Sequence, residues 1–285
     1  MNLTWDQVDG VIQRAVARGL GKRGPCLHRK IGVDEKAFEK GHEYVTIVHD
    51  AGSESVIHVA DERKTEVLTD FYHPFSAEEL RQVESVTMDM SGWYIEATRS
   101  AMADGDKKIG FDKFHSAKHL GDGVNEVRRT EHRQLLQTGH RLSKTRYLWL
   151  KQPVNLTDES RVEFEPLRTS NLKTARAWAL KETAMRLWHY TSRTWAKRGW
   201  LRWYGWAIRS RLEPMNKVAR RIKGQLQGVI TAVVKKTTNA RAEGLNSIVQ
   251  GIKHTARGFR NKERFKWAIY SHLGGLDLCP AGIVR

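Results

Sequence analysis

The stretch IGVDEKAFEKGHEYVTIVHD, residues 31–50, decides the fold. Ile31 to Phe38 reads as a strand, Glu39-Lys40-Gly41 as a tight turn, and Glu43 to His49 as a second strand. Asp50-Ala51-Gly52 turns the chain again, and Ser55 to Ala60 makes a third strand. Short β-branched runs separated by turn formers predict an antiparallel meander. One residue is out of place in it. Asp34 lies between Val33 and the apolar hairpin. A buried carboxylate is costly unless a cation or several donors meet it.

Outward from the meander, the period changes. Upstream, Thr4 to Ala17 reads as a helix, with Val8, Val11, Ile12, Ala15 and Val16 on one face. Thr4 with Gln7 fits a capping box, and Gly19 and Gly21 are expected to end the helix. Downstream come a helix over 63–72, a short helix over 77–82 capped by Ser76, and a fourth strand over 86–90. A helix over 94–103 follows, then a short fifth strand over 108–111 that ends at Asp112. The order β-β-β-α-β-α-β predicts an α/β fold, a mixed sheet flanked by helices. The fourth strand repeats the oddity of the first, because VTMDMSGWY carries Asp89 in apolar company. Either aspartate alone is best read as a strand-end cap or an arginine partner; two in this topology weaken that reading.

From about residue 116 the chain reads mostly as helix, over 116–139, 143–152 and 168–235, with QPVNLTDES at 152–160 as an irregular break. A late helix spans 239–255, and a terminal one 261–272. Ala242, Leu245, Ile248, Val249 and Ile252 give the late helix an apolar face. Glu243, Asn246, Gln250 and Lys253 form the adjoining polar face, at offsets of 3, 7 and 10. Glu243 is thereby expected to point toward the strand aspartates, and Lys253 toward a polyanion.

The charge is unevenly spread. Residues 1–125 carry 16 Lys+Arg against 21 Asp+Glu, 126–230 carry 23 against 8, and 231–285 carry 10 against 3, for a net +17. That excess calls for a polyanionic partner, with nucleic acid ahead of a membrane surface. Seven of the ten Trp fall in the basic middle block, where most are expected to pack a helical core and a few to stack on bases. No apolar run is long enough to span a membrane, and residues 1–13 do not read as a secretory signal. Cys26 and Cys279 form neither a disulfide framework nor a zinc spacing, which favours a reducing cytoplasm.

Four strings now converge. Residues 31–50 resemble the first strand and hairpin of the DDE transposases of bacterial insertion sequences, in the ISL-three family. VTMDMSGWY resembles that family's second-aspartate strand, and IGFDKFHSAKHLGDGVNEVRR its following segment. TTNARAEGLNSIVQGIKHTARGFRNKERFKWAI resembles its third-acid helix. The strings occur in family order and reach from about residue 30 to 275. The resemblance implies an RNase H-like fold with a large all-helical insertion before the third-acid helix. It implies a catalytic domain over 25–125 and 231–285, and a basic, Trp-rich insertion over 126–230. Asp89 and Glu243 lie 154 positions apart, far more than a sheet-to-helix connection needs.

The resemblance further implies that Asp34, Asp89 and Glu243 are the catalytic and metal-binding triad. Two divalent cations held by carboxylates activate the attacking oxygen and stabilise the leaving one. Oxygen-only ligands suit Mg²⁺ or Mn²⁺ and not zinc. By analogy Asp34 bridges both ions, and Asp89 and Glu243 each hold one. Water frees a 3′-OH at the element end, and that 3′-OH attacks target DNA without a covalent enzyme intermediate. Asp112 stands either behind the metal ligands or as a strand-to-helix cap, and His115 either orients a phosphate or packs. Lys118, Lys253, Arg257 and Arg260 are expected to contact the DNA backbone. The partners implied are double-stranded DNA, as terminal inverted repeats and target, and a second copy on paired ends, in the bacterial cytoplasm near the nucleoid. Family members begin with a Cys-rich zinc module and a helix-turn-helix region. Residues 1–24 resemble only the tail of the latter. The alternative expectation is therefore a DNA-binding remnant that is inactive in transposition and inhibits the full-length enzyme.

Overall fold

The computed structural model describes residues 4–38, 43–53, 55–136, 142–236 and 240–280; the side chains of 240–243 lie outside that description. The turn expected at 39–41 also lies outside it. The chain divides into two compact units, Met1–Gly110 with Thr237–Arg285, and Phe111–Lys236. In chain order the elements begin with α1 (Trp5–Arg23), β1 (Lys30–Ala37), β2 (Tyr44–Asp50), β3 (Val56–Asp61), α2 (Thr65–Tyr72) and α3 (Ala77–Gln82). Next come β4 (Ser85–Met88), α4 (Gly92–Ala101), α5 (Gly105–Lys108), β5 (Ile109–Phe111), α6 (Lys113–Leu135) and α7 (Arg146–Leu150). The chain continues with α8 (Asp158–Arg168), α9 (Lys173–Leu187), α10 (Arg193–Arg209), α11 (Glu213–Gly224), α12 (Leu226–Lys235), α13 (Ala240–Thr255) and α14 (Lys262–Leu273). The class is mixed α/β, with a five-stranded sheet ordered β3-β2-β1-β4-β5.

The meander forms as its sequence predicts. β1 pairs antiparallel with β2, β2 antiparallel with β3, and β1 parallel with β4, so the sheet is mixed. Alternation assigns the faces. On one, Val45 and Ile47 pack with Leu245 and Val249 of α13, Ile269 of α14 and Val16 of α1. On the other, the Thr46 hydroxyl shares a 2.8 Å hydrogen bond with Tyr94 of α4, and Tyr72 of α2 meets Thr98 at 3.2 Å.

α1 starts at the expected capping box, Gln7 N donating to Thr4 Oγ1 and Thr4 N to Gln7 Oε1. It does not stop at Gly19 or Gly21; it runs to Arg23 and ends on Gly24, at φ 67°. Gly19 serves packing instead, since a Cβ there would come within 2.9 Å of Leu276 Cβ. α1 is fastened to α14 by Arg264, 2.9 Å from Asp6 and 3.1 Å from Asp9. At its far end, Arg23 donates to the carbonyls of Val56 (3.1 Å) and Ile57 (2.7 Å) on edge strand β3. Tyr270 of α14 completes the cover, its hydroxyl accepting the Val59 N–H at 2.8 Å.

Apart from Phe111, the last residue of β5, the described secondary structure of the second unit is helical. Several of its tryptophans pack the core, as expected. Trp149, Trp188, Trp200 and Trp203 are buried, while Trp195 and Trp206 are exposed. Trp203 donates to Leu180 O at 2.8 Å, and Trp200 meets Trp188 and Trp203 edge-on. Helix α8 begins within the stretch expected to be irregular, because Thr157 caps it by accepting the Ser160 N–H. Glu131 of α6 caps α9, accepting the Lys173 and Thr174 N–H groups at 2.7 Å each and the Thr174 hydroxyl at 2.6 Å.

Candidate active site

Parallel strand pairing leads toward two acids. Gly32 of β1 lies opposite Thr87 of parallel β4. Two residues further along the chain from each are Asp34, within β1, and Asp89, just past the end of β4. Neighbouring strands run about 4.8 Å apart. Asp89 is not within the strand, as 86–90 predicted, but one residue past its end at Met88. There its carboxylate accepts the Met90 N–H at 2.6 Å and its carbonyl the Ser91 N–H at 2.7 Å, turning the chain into α4. Asp34 is 9% exposed. Its Oδ1 accepts the Glu35 N–H at 2.8 Å, and its Oδ2 accepts Asn246 Nδ2 at 2.5 Å.

The neighbouring Glu35 belongs to the opposite face, opposite Thr46. Arg63 reaches its Oε1 at 2.6 Å, and its Oε2 is buried without a hydrogen-bond partner among the described residues. Burial pushes the Glu35 carboxyl above its usual range; Arg63 opposes that shift, and the charges of Asp89 and Asp34 reinforce it. The three acids therefore share one negative field. Burial likewise lowers Lys36, against the pull of Asp34 and Glu35.

Helix α13 lies along β1. Asn246 bonds to residue 34, and Lys253, seven residues on, donates to the carbonyl of Ala37 at 3.1 Å. Seven helical residues rise about 10.5 Å, and three strand residues span about 10 Å. The two spacings match, so the polar face read from the sequence meets the strand at both points. Of the apolar face, Leu245 and Val249 are buried, but Ile248 is 47% exposed. Glu243 lies on α13 three residues before Asn246, and its side chain is outside the described residues. Arg257, at φ 53°, ends the helix with its N–H on His254 O, and Arg260 is exposed beyond it.

Three expected site residues fall in the second unit. Asp112, 3% exposed, caps α6 by accepting the Phe114 N–H at 3.0 Å. His115 Nδ1 stands 3.2 Å from Asp112 Oδ2. Lys118 is exposed on α6 and lines a cavity of about 680 Å³ with Phe114, Leu150, Met185 and Arg186.

Among the described residues, no group of three His, Cys, Asp or Glu side chains could hold a metal ion. The chemistry of the donors present, aspartate carboxylates, suits a hard divalent cation that needs only one or two protein carboxylates. Arg63 and Asn246 are the members that sequence reasoning did not place at the acids. Asn246 was visible as part of the polar face; Arg63 carries no signal in the sequence.

Comparison with known proteins adds a family. Residues 31–269 match the DDE type of the ISL-three group, described as transposase. The transposase for insertion sequence element IS1001 of Bordetella parapertussis is 28% identical over 239 residues, covering 82% of this chain and 58% of that protein. The transposase for insertion sequence element IS1557 of Mycobacterium tuberculosis is 22% identical over 288 residues, covering 92% of this chain and 64% of that protein. The chain thus spans about three-fifths of the length of these relatives. No solved structure matches it. No described helix is long and apolar enough to cross a membrane.

Proposed function

Because the chain belongs to the ISL-three family of DDE transposases, we propose that it carries the catalytic core of a DNA transposase, with an RNase H-like first unit and a helical insertion. The observation that carries this reading is the parallel pairing of β1 with β4, which leads to Asp34 in one strand and Asp89 just past the end of the other, with α13 bonded along β1. Asp34, Asp89 and Glu243 would hold two Mg²⁺ or Mn²⁺ ions, which supply activation of the attacking oxygen and stabilisation of the leaving one. With oxygen nucleophiles activated in this way no covalent enzyme intermediate is needed, so no Ser, Tyr or Cys nucleophile is proposed. Hydrolysis at the element end frees a 3′-OH, and transesterification joins that 3′-OH to target DNA.

The net charge of +17 supports DNA as the partner. Lys118, Arg257 and Arg260 are proposed backbone contacts, and Lys253 would offer phosphate the N–H groups it does not spend on Ala37. Asp112 and His115 are proposed to act as a linked cap and phosphate-orienting pair. A second copy on paired ends and a place in the bacterial cytoplasm beside the nucleoid complete the proposal.

Strand transfer in vitro tests it. A pre-cleaved element end with a free 3′-OH is mixed with plasmid and Mg²⁺ or Mn²⁺. The wild type is expected to join the two, and Asp34→Asn, Asp89→Asn and Glu243→Gln each to lose joining while retaining salt-sensitive DNA binding. Joining that survives in the Asp89→Asn protein would refute the assignment. Absence of joining in all proteins, with DNA binding intact, would establish a DNA-binding role without chemistry.

A further inference from the structure

We propose that Asn246 is a positioning residue that fixes the carboxylate of Asp34 for cation binding. The inference rests on the metal-dependent reading above and adds to it a residue outside the acid triad.

Each oxygen of an ionised carboxylate has two lone pairs. The Glu35 N–H takes one on Oδ1, and the Asn246 amide takes one on Oδ2 at 2.5 Å. Two donors from different elements thus set the carboxylate plane and leave acceptor capacity on each oxygen for a cation. A backbone N–H alone would leave the whole carboxylate free to pivot about that single contact. The Asn246 amide is itself held in place. Leu245 and Val249 on either side of it are buried in the core beneath the sheet, and Lys253 anchors the same helix to Ala37 O. The donor therefore does not follow the carboxylate; the carboxylate conforms to the donor. An amide suits this role better than a lysine, because it orients Asp34 without a positive charge that would compete with the cation. Groups of this kind, behind metal ligands, change metal affinity or activity by about 10–100-fold when removed.

The test reads cation binding directly. The purified full chain is titrated with Mn²⁺, and the thermal unfolding midpoint is followed for wild type, Asn246→Ala and Asn246→Gln. The Mn²⁺ concentration giving half of the midpoint rise is expected to increase about 10–100-fold in Asn246→Ala. Asn246→Gln, which keeps the amide on a longer arm, recovers part of that loss. DNA binding without metal is expected to be the same in all three. A half-saturating concentration in Asn246→Ala equal to that of wild type overturns the inference while leaving the metal reading intact. A wild type whose midpoint does not respond to Mn²⁺ defeats the metal reading and this inference with it. Should Asn246→Ala not fold, Asn246→Leu, which keeps the branched shape of Asn without its donor, undergoes the same comparison, with an unchanged half-saturation again overturning the inference.

Discussion

Gly32→Ala should damage both the sheet and the candidate site, through one side chain. A Cβ built on Gly32 would lie 2.1 Å from Cε1 and Nε2 of His49, inside any contact a real methyl group makes. The backbone has no room to yield, because Gly32 pairs with His49 on one side and Thr87 on the other. The ring has little more, since His49 is 2% exposed. Overpacking of this kind costs about 3 kcal/mol, at the upper end of its usual range. With a urea dependence of roughly 3 kcal/mol per molar, the unfolding midpoint falls by about 1 M at unchanged slope. His49→Ala alone also destabilises, by opening a cavity, but combined with Gly32→Ala it removes the clash. The double variant should therefore be more stable than Gly32→Ala, with a coupling of about 2 kcal/mol. Gly32 shares its strand face with Asp34, two residues on, so strand transfer should fall in Gly32→Ala and return in the double variant. A Gly32→Ala protein that unfolds at the wild-type urea concentration, or a double variant with no recovery, would refute the steric account.

Two further outcomes follow from buried caps. Glu131→Ala strips the α9 N-terminus of three bonds to one carboxylate; chemical denaturation should register a loss of about 3 kcal/mol, and Glu131→Gln a smaller one. Asp50 is the pH-dependent case. Burial would raise its carboxyl, but hydrogen bonds from Ser53 and Gly52, helped by nearby His28, outweigh burial and hold it below the usual range. A depressed carboxyl contributes stability above its unfolded pKa and loses it as pH falls through the folded value. Asp50→Asn should thus cost about 1–2 kcal/mol at pH 7, and the gap from wild type should close below the ordinary carboxylate range. A gap that stays constant down to acid unfolding would disprove that origin.

The meander and the cap residues Thr4 and Ser76 were legible because their signals are local: period, turn formers and capping boxes. The polar face of α13 was legible for the same reason, but the partners of its residues were not: Lys253, expected to face a polyanion, donates to Ala37 O, and it is Asn246 that reaches Asp34. What escaped was settled by distant partners. Gly19 looks like a helix stop, yet Leu276, far along the chain, makes it a point of close packing. Ile248 continues the helical apolar pattern but is exposed, because α13 turns Leu245 and Val249 into the core and leaves Ile248 beside them outside it. Asp89 reads as a strand residue by its neighbours, whereas the backbone turn it makes with Met90 and Ser91 releases it from the ladder. Arg63 was invisible at the acids because nothing in sequence ties residue 63 to residue 35; only the sheet does.

The cover over β3 bears on how copies of this chain can meet. An exposed sheet edge is a template on which another chain can lay down a strand, the route to runaway aggregation as well as to ordered pairing. Here Arg23 occupies two of the outer carbonyls and Tyr270 an outer N–H, from helices at opposite ends of the sequence. A newcomer would have to evict both before finding a register. Growth of the sheet in that direction is thereby suppressed, and anything that approaches this edge meets side chains already bonded to the strand, without remodelling the β-structure that holds Asp34.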